Sequence, residues 1–244
     1  MTTVLKLGGS LVTEKTEEAT VAEDRLARIA DTIARSDPGS LVIIHGGGSF
    51  GHPAASRHGV SRTEGTRSPT AIEAISRSMA RLNERVVSSL CETGVPAVAW
   101  PPRACASKRR DGDTIVGTGP LASALTEGFV PVVYGDIVCH EGAGCSILGG
   151  DELAVAIGTA MDADRIGLCA GVAGVLDAAG TVMGRIERIE DVTAVFDAPE
   201  GIDVTGGMEW KVQMLLDTDI SSAIFGIDSL PGFLDGELPG TRVG

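Results

Sequence analysis

Along this chain, a short aliphatic run repeatedly breaks off at glycines and gives way to a helical stretch. The fullest case is Leu41-Val-Ile-Ile-His-Gly-Gly-Gly-Ser-Phe-Gly-His52. Its apolar residues suit a short buried strand, and the glycines clear side chains from the turn so that backbone can approach a ligand. Ser49 is placed to cap a following helix whose first amides favour an anion. His52 sets a titratable donor beside the same spot. The strand from Val4 stops at Gly8-Gly9-Ser10, and Ser146-Ile-Leu-Gly-Gly-Asp151 opens a helix from Glu152 to Ala160. Gly171-Val-Ala-Gly-Val-Leu176 follows a strand from Arg165, and Asp203-Val-Thr-Gly-Gly-Met208 leads into a helix from Glu209 to Asp217. Strand, glycine turn and helix in repetition predict a largely parallel sheet with helices on both faces. Ligands then sit outside the carboxyl ends of the strands.

The rest of the chain fits between these units. Asp24 to Arg35 predicts a helix with Leu26, Ile29, Ala30 and Ile33 inward, and Thr70 to Cys91, started by Pro69, a long one. Further strands are expected at Ala97–Trp100, Val130–Tyr134, Ser222–Phe225 and after Gly240, and a basic hairpin turn at Lys108–Gly112. The polar stretch from His52 to Arg67 predicts a mobile loop. No Pro/Gly/Ser linker divides the chain, so any two lobes share one continuous sheet.

Composition removes several classes. A net charge of −13 leaves no basic stripe for nucleic acid, and no apolar run reaches the roughly 18 residues that span a bilayer. The chain opens directly into Val4-Leu-Lys-Leu-Gly, so a soluble cytoplasmic protein without a signal peptide is expected. Cysteines 91, 105, 139, 145 and 169 show no zinc spacing, although Cys139 and Cys145 flank His140. Free buried thiols and no metal site are the expectation. Of 20 basic residues only four are lysine, and Lys6, Lys15 and Lys211 all lie beside glycine motifs. A compact ammonium is not interchangeable with a guanidinium fork, which marks these lysines as candidates.

The kind of phosphate loop discriminates further. No lysine follows a glycine, so GxxxxGK[ST] is absent. Gly46, Gly48 and Gly51 spell GxGxxG, but after the second strand rather than the first, which argues against a dinucleotide enzyme. Lys6-Leu-Gly-Gly-Ser10, His45-Gly-Gly-Gly-Ser-Phe-Gly-His-Pro53, Gly150-Asp-Glu-Leu-Ala154 and Asp203–Met208 with Lys211 resemble the amino acid kinase superfamily. Within it they look most like the isopentenyl phosphate kinases. KxGGS and the GGD element run through the whole superfamily, whereas GGGSFGHP is specific to that branch and its fosfomycin kinase relatives.

The resemblance, which runs from residue 1 to the C-terminus, implies a three-layer αβα sandwich with a mainly parallel open sheet. It implies that residues 1–160 hold the phosphate acceptor and 161–244 hold ATP, and that the protein is a homodimer using Mg·ATP. The reaction it implies puts the γ-phosphoryl group on isopentenyl phosphate in isoprenoid biosynthesis. By the same resemblance Lys6 and Lys15 contact the transferring phosphates, and Gly8, Gly9, Ser10, Gly48, Gly171, Gly206 and Lys211 line ATP. Gly47, His52, Gly149 and Gly150 hold the acceptor, Asp151 orients the lysines, and Ile75, Met79 and Ile147 line the prenyl tail. The chain departs from the family at Gly171, where members carry an Asp. A fosfomycin or other small-phosphate kinase is the alternative enzyme, and a non-catalytic binding protein of the same fold the alternative class.

Overall fold

The computed structural model describes residues 1–196 and 206–244. β1 (Thr2–Leu7) runs into the short helix α1 (Gly9–Val12), α2 (Glu23–Ala34) returns, and β2 (Ser40–His45) lies parallel to β1. α3 (Gly48–Arg57) and the long α4 (Pro69–Glu92) follow. Next come β3 (Ala97–Ala99), the hairpin β4 (Ala106–Lys108) and β5 (Thr114–Val116), α5 (Gly119–Thr126) and β6 (Val130–Tyr134). A second hairpin, β7 (Asp136–His140) and β8 (Gly144–Leu148), leads to α6 (Gly150–Ala160) and β9 (Arg165–Ala170). The last segment holds β10 (Arg185–Ile186), α7 (Glu190–Phe196), α8 (Gly206–Leu216), β11 (Ser221–Gly226), α9 (Leu230–Leu234) and β12 (Thr241–Val243).

Eight strands form one sheet in the order β10-β12-β11-β9-β1-β2-β6-β3. It is parallel throughout except between β11 and β12. Its central strands are buried on both faces, which is why they read as unbroken apolar runs. Leu5, Leu7, Leu41 and Ile43 pack on one side with Leu26 and Ile29 of α2 and Leu82 and Val86 of α4. Val4, Val42 and Ile44 pack on the other with Leu153 and Ile157 of α6 and Val212 of α8. Helix, sheet and helix therefore make three layers. The same alternation turns Lys6 towards α6 and His45 towards α4.

A smaller sheet, β5-β4-β7-β8, is not foreseen by the sequence pattern, and Ser146–Leu148 belongs to one of its strands rather than to a turn. Ile137 and Cys145 of this hairpin pack with Ala54, Val60 and Ile75 to form a separate small core beneath α3 and α4.

Other expectations need correction. Helix α3 does not stop at His52 but continues to Arg57 through Pro53. Proline has no N–H to offer the Ser49 carbonyl one turn back, and that carbonyl accepts the Ala19 N–H instead, at 3.0 Å. The remaining polar segment is pinned to β8, where Ile147 N–H donates to the Ser61 carbonyl at 2.9 Å and Thr66 pairs with Cys145. Ser49 is not a cap: Gly47 holds that position, and Ser49 Oγ donates to the Thr20 carbonyl at 3.3 Å. The cysteines are all free, but only Cys145 and Cys169 are buried, while Cys91 and Cys139 are exposed.

Candidate active site

β1 and β2 are neighbours in register, so the glycine turns that end them meet. A Cβ on Gly9 would collide with the Gly48 backbone nitrogen, and one on Gly48 (φ +45) with Thr13 Oγ1. Only glycine permits that approach. Thr13 clamps the two turns, its hydroxyl donating to the Gly9 carbonyl at 2.9 Å and accepting the Ser49 N–H at 3.0 Å. Among the described residues no side chain caps α1 or α3, and neither first turn carries an acidic residue. Gly8, Gly9, Ser10, Gly47 and Gly48 line a cleft of about 1280 Å³ with no competing carboxylate on these turns. That volume exceeds the ~300–1,000 Å³ typical of a pocket for one ligand and leaves space for two substrates.

The first turn of α6 supplies the charge. Gly149 is its N-cap, so Asp151 stands inside the helix rather than capping it. Lys6 Nζ lies 2.5 Å from Asp151 Oδ1, and Lys211 Nζ on α8 lies 3.7 Å from Oδ2. Two ammonium groups thus share one carboxylate and leave an excess positive charge on the wall. Lys6 passes beside Gly150, whose virtual Cβ would lie in ordinary van der Waals contact with Lys6 Cε, at 3.5 Å. Lys15 is exposed on the loop between α1 and α2 and lines the same cleft, as do Gly149, Gly150 and Gly171. A Cβ on Gly171 would meet only Ser10 Oγ, at 3.3 Å. Asp203–Thr205 of the expected fourth turn lie outside the described residues, and Gly206 begins α8.

The next residue of α6, Glu152, also holds a lysine. Lys108 Nζ lies 2.8 and 3.1 Å from its carboxylate oxygens, and Thr114 Oγ1 donates to Oε1 at 2.7 Å. This pair does not border the cleft.

His52 is exposed on the α3 wall of the cleft. Below it the surface turns apolar: Met79 Sδ lies 2.9 Å from the virtual Cβ of Gly51, and Ile75 and Ile147 complete the wall. Asp136, on the same wall, accepts from Ser76 Oγ at 3.0 Å and from the Ile137 N–H at 2.8 Å. Burial nevertheless pushes its carboxyl up to about 6. On the α4 face of the sheet, burial drives His45 down to about 4, with Nε2 3.1 Å from Asn83 Oδ1 and Nδ1 3.1 Å from the Gly46 carbonyl oxygen. Burial lifts the Cys169 thiol to about 12 despite Lys6 nearby, which leaves it inert.

Gly206 aside, whose surroundings lie outside the described residues, the structure brings every residue expected from the sequence to one cleft. It adds Thr13, Asp136, Arg62 and Trp210, none of which sits in a glycine motif. Convergent ammonium groups, turn amides and a histidine suit phosphoryl transfer, in which charge spreads over the moving oxygens.

Comparison with known proteins agrees with this chemistry. The Amino acid kinase family model matches residues 1–221. The isopentenyl phosphate kinase of Haloferax volcanii is 42% identical over 98% of this chain and 97% of its own. That of Methanothermobacter thermautotrophicus is 32% identical over 98% and 96%. A crystal structure of isopentenyl phosphate kinase superposes with a TM-score of 0.86 at 28% identity, covering all of both chains. A product complex of the Thermoplasma acidophilum isopentenyl phosphate kinase, at 21% identity and a TM-score of 0.77, shares the fold.

Proposed function

The chain belongs to the amino acid kinase family, and we infer that it transfers the γ-phosphoryl group of ATP to isopentenyl phosphate, giving isopentenyl diphosphate and ADP. The observation that carries this reading is a cleft with two lysines on one carboxylate and an apolar wall of Ile75, Met79 and Ile147 beneath His52. A phosphate at one end and a short hydrocarbon at the other match those surfaces.

A phosphate monoester loses its second proton near pH 6, so its oxygen is already a nucleophile at neutral pH and needs no general base. That oxygen bonds to Pγ as the Pγ–O bond to ADP breaks. Lys6 and Lys15 stabilise the charge on the moving phosphoryl, and Lys211 and the amides of Gly8–Ser10 hold the nucleotide. Asp151 keeps Lys6 and Lys211 aimed. His52 and the Gly47 amide hold the acceptor phosphate. Among the described residues no group of three or more acidic, His or Cys side chains could hold a metal ion. Mg2+ therefore fits as an ion carried on the ATP phosphates, where it neutralises charge. The nucleotide belongs beside Gly171 and α8, the acceptor between α3, α4 and β8. The family resemblance also supports a homodimer and a cytoplasmic setting, where ATP is supplied; sedimentation of the purified protein tests the dimer.

The test is a panel of acceptors with Mg·ATP. Isopentenyl phosphate is expected to be phosphorylated far faster than fosfomycin or UMP, and a reversed preference overturns the assignment. On the preferred acceptor His52→Ala is expected to lower kcat/KM by about 10²–10³-fold, the usual loss of one transition-state donor; an unchanged value removes His52 from the mechanism.

A further inference from the structure

Arg62 and Trp210 lie far apart in sequence and on different walls of the cleft, yet the Arg62 guanidinium carbon sits 3.8 Å from the centre of the Trp210 ring. Each is fixed from behind. The Ser61 carbonyl accepts the Ile147 N–H at 2.9 Å, and Ser61 Oγ accepts the N–H groups of Thr63 and Glu64 at 3.2 and 2.9 Å. Arg62 therefore projects from a base tied to β8, the strand that carries Ile147. Trp210 immediately precedes Lys211 on α8, a helix sunk into the core through Val212 and Leu215. One stacked pair of side chains thus spans from the acceptor wall to the nucleotide wall.

We propose that Arg62 and Trp210 form a clasp that holds the two walls in register during transfer and opens for exchange of substrates. This rests on the kinase reading above. A side-chain stack suits the task better than a backbone joint, because a cation–π contact at a partly exposed site is weak enough to part. The planar guanidinium matters, since a lysine ammonium cannot lie flat on an indole. Closed, the pair covers the cleft beside the phosphates and keeps water from competing with the acceptor for Pγ. Both are positioning residues, acting through the walls that they join.

The chain has two tryptophans, so Trp100→Phe leaves Trp210 as the only indole. In that protein Arg62→Ala is expected to shift the emission to the red and increase quenching by acrylamide. With the acceptor identified by the panel, Arg62→Ala and Trp210→Leu are each expected to lower kcat/KM for transfer about two- to fivefold, and the double variant no further. Hydrolysis of ATP is expected to rise relative to transfer in all three, while the urea midpoint of exposed Arg62→Ala stays at the wild-type value. Unchanged emission, additive losses in the double variant, or an unchanged ratio of hydrolysis to transfer each overturn the clasp. A wild type that transfers to no acceptor defeats the functional reading instead, and the emission measurement then decides the clasp alone.

Discussion

Consecutive residues at the start of α6 each grip a lysine, and the two grips face different surroundings. Asp151 is shared between Lys6 and Lys211 on the cleft wall, whereas Glu152 is matched to Lys108 and further satisfied by the Thr114 hydroxyl away from the cleft. The first set carries more positive than negative charge. The second is balanced, and its carboxylate has three contacts from the neighbouring hairpin. In the proposed kinase reading, similar residues on one helical turn divide between catalysis and construction, decided by charge count and access rather than by residue type.

The largest effect that would break this contrast is in activity. Lys6→Ala is predicted to lower kcat by at least ~10³-fold with little change in the urea midpoint, because Asp151 keeps Lys211. Lys108→Met is predicted to do the reverse: it leaves Glu152 without its cation in the interior and costs about 3 kcal/mol of stability. Its kcat should stay within a few-fold of wild type. Matching losses of kcat in both variants would abolish the distinction.

Buried groups with neutral partners sharpen the contrast more gently. Burial holds Asp136 up at about 6, beside Ser76, and His45 down at about 4, beside Asn83. Native Asp136 keeps its proton longer than the unfolded chain does, so its contribution to stability is full at low pH and is lost as pH rises from 3.8 to about 6. Native His45 resists its proton, so its contribution is lost as pH falls from 6.5 to about 4. The two slopes oppose each other, each worth roughly 3 kcal/mol when fully developed. Asp136→Asn is expected to steepen the loss of stability on acidification between pH 6 and 4, and His45→Gln to flatten it. Urea unfolding across that range measures both, and identical slopes in all three proteins would remove these groups from the balance.

Much of this molecule is legible in its sequence, for identifiable reasons. Central parallel strands such as Leu41–Ile44 are buried on both faces and read as plain apolar runs, and Lys6, Asp151 and Lys211 sit at glycine turns that announce a phosphate. The β7–β8 hairpin escapes because Asp136 and Ser146 interrupt its apolar alternation. Its turn region carries Gly142 and Gly144 at positive φ, which reads as loop. Helix α3 is cut short in the sequence reading because the polar stretch from His52 to Arg67 reads as loop, and nothing nearby shows that Ala19 will take up the carbonyl that Pro53 strands. Arg62 and Trp210 meet only through tertiary structure, so no spacing pattern could pair them.

That stranded carbonyl has a thermodynamic consequence. The Ala19-to-Ser49 hydrogen bond joins the loop that carries Lys15 to the helix that carries His52. We predict from this bond that an acceptor seated on α3 also shifts the Lys15 loop, so that occupancy of one proposed substrate site biases the other, by the same factor in either direction. Dissociation constants for a non-hydrolysable ATP analogue, measured with and without acceptor, should show this linkage in the wild type. Pro53→Ala restores the N–H that reclaims the Ser49 carbonyl and should weaken it. Equal linkage in the two proteins would mean that the sites are independent of that bond. Loss of the linkage in Pro53→Ala would trace the coupling of two binding equilibria to the hydrogen that proline lacks.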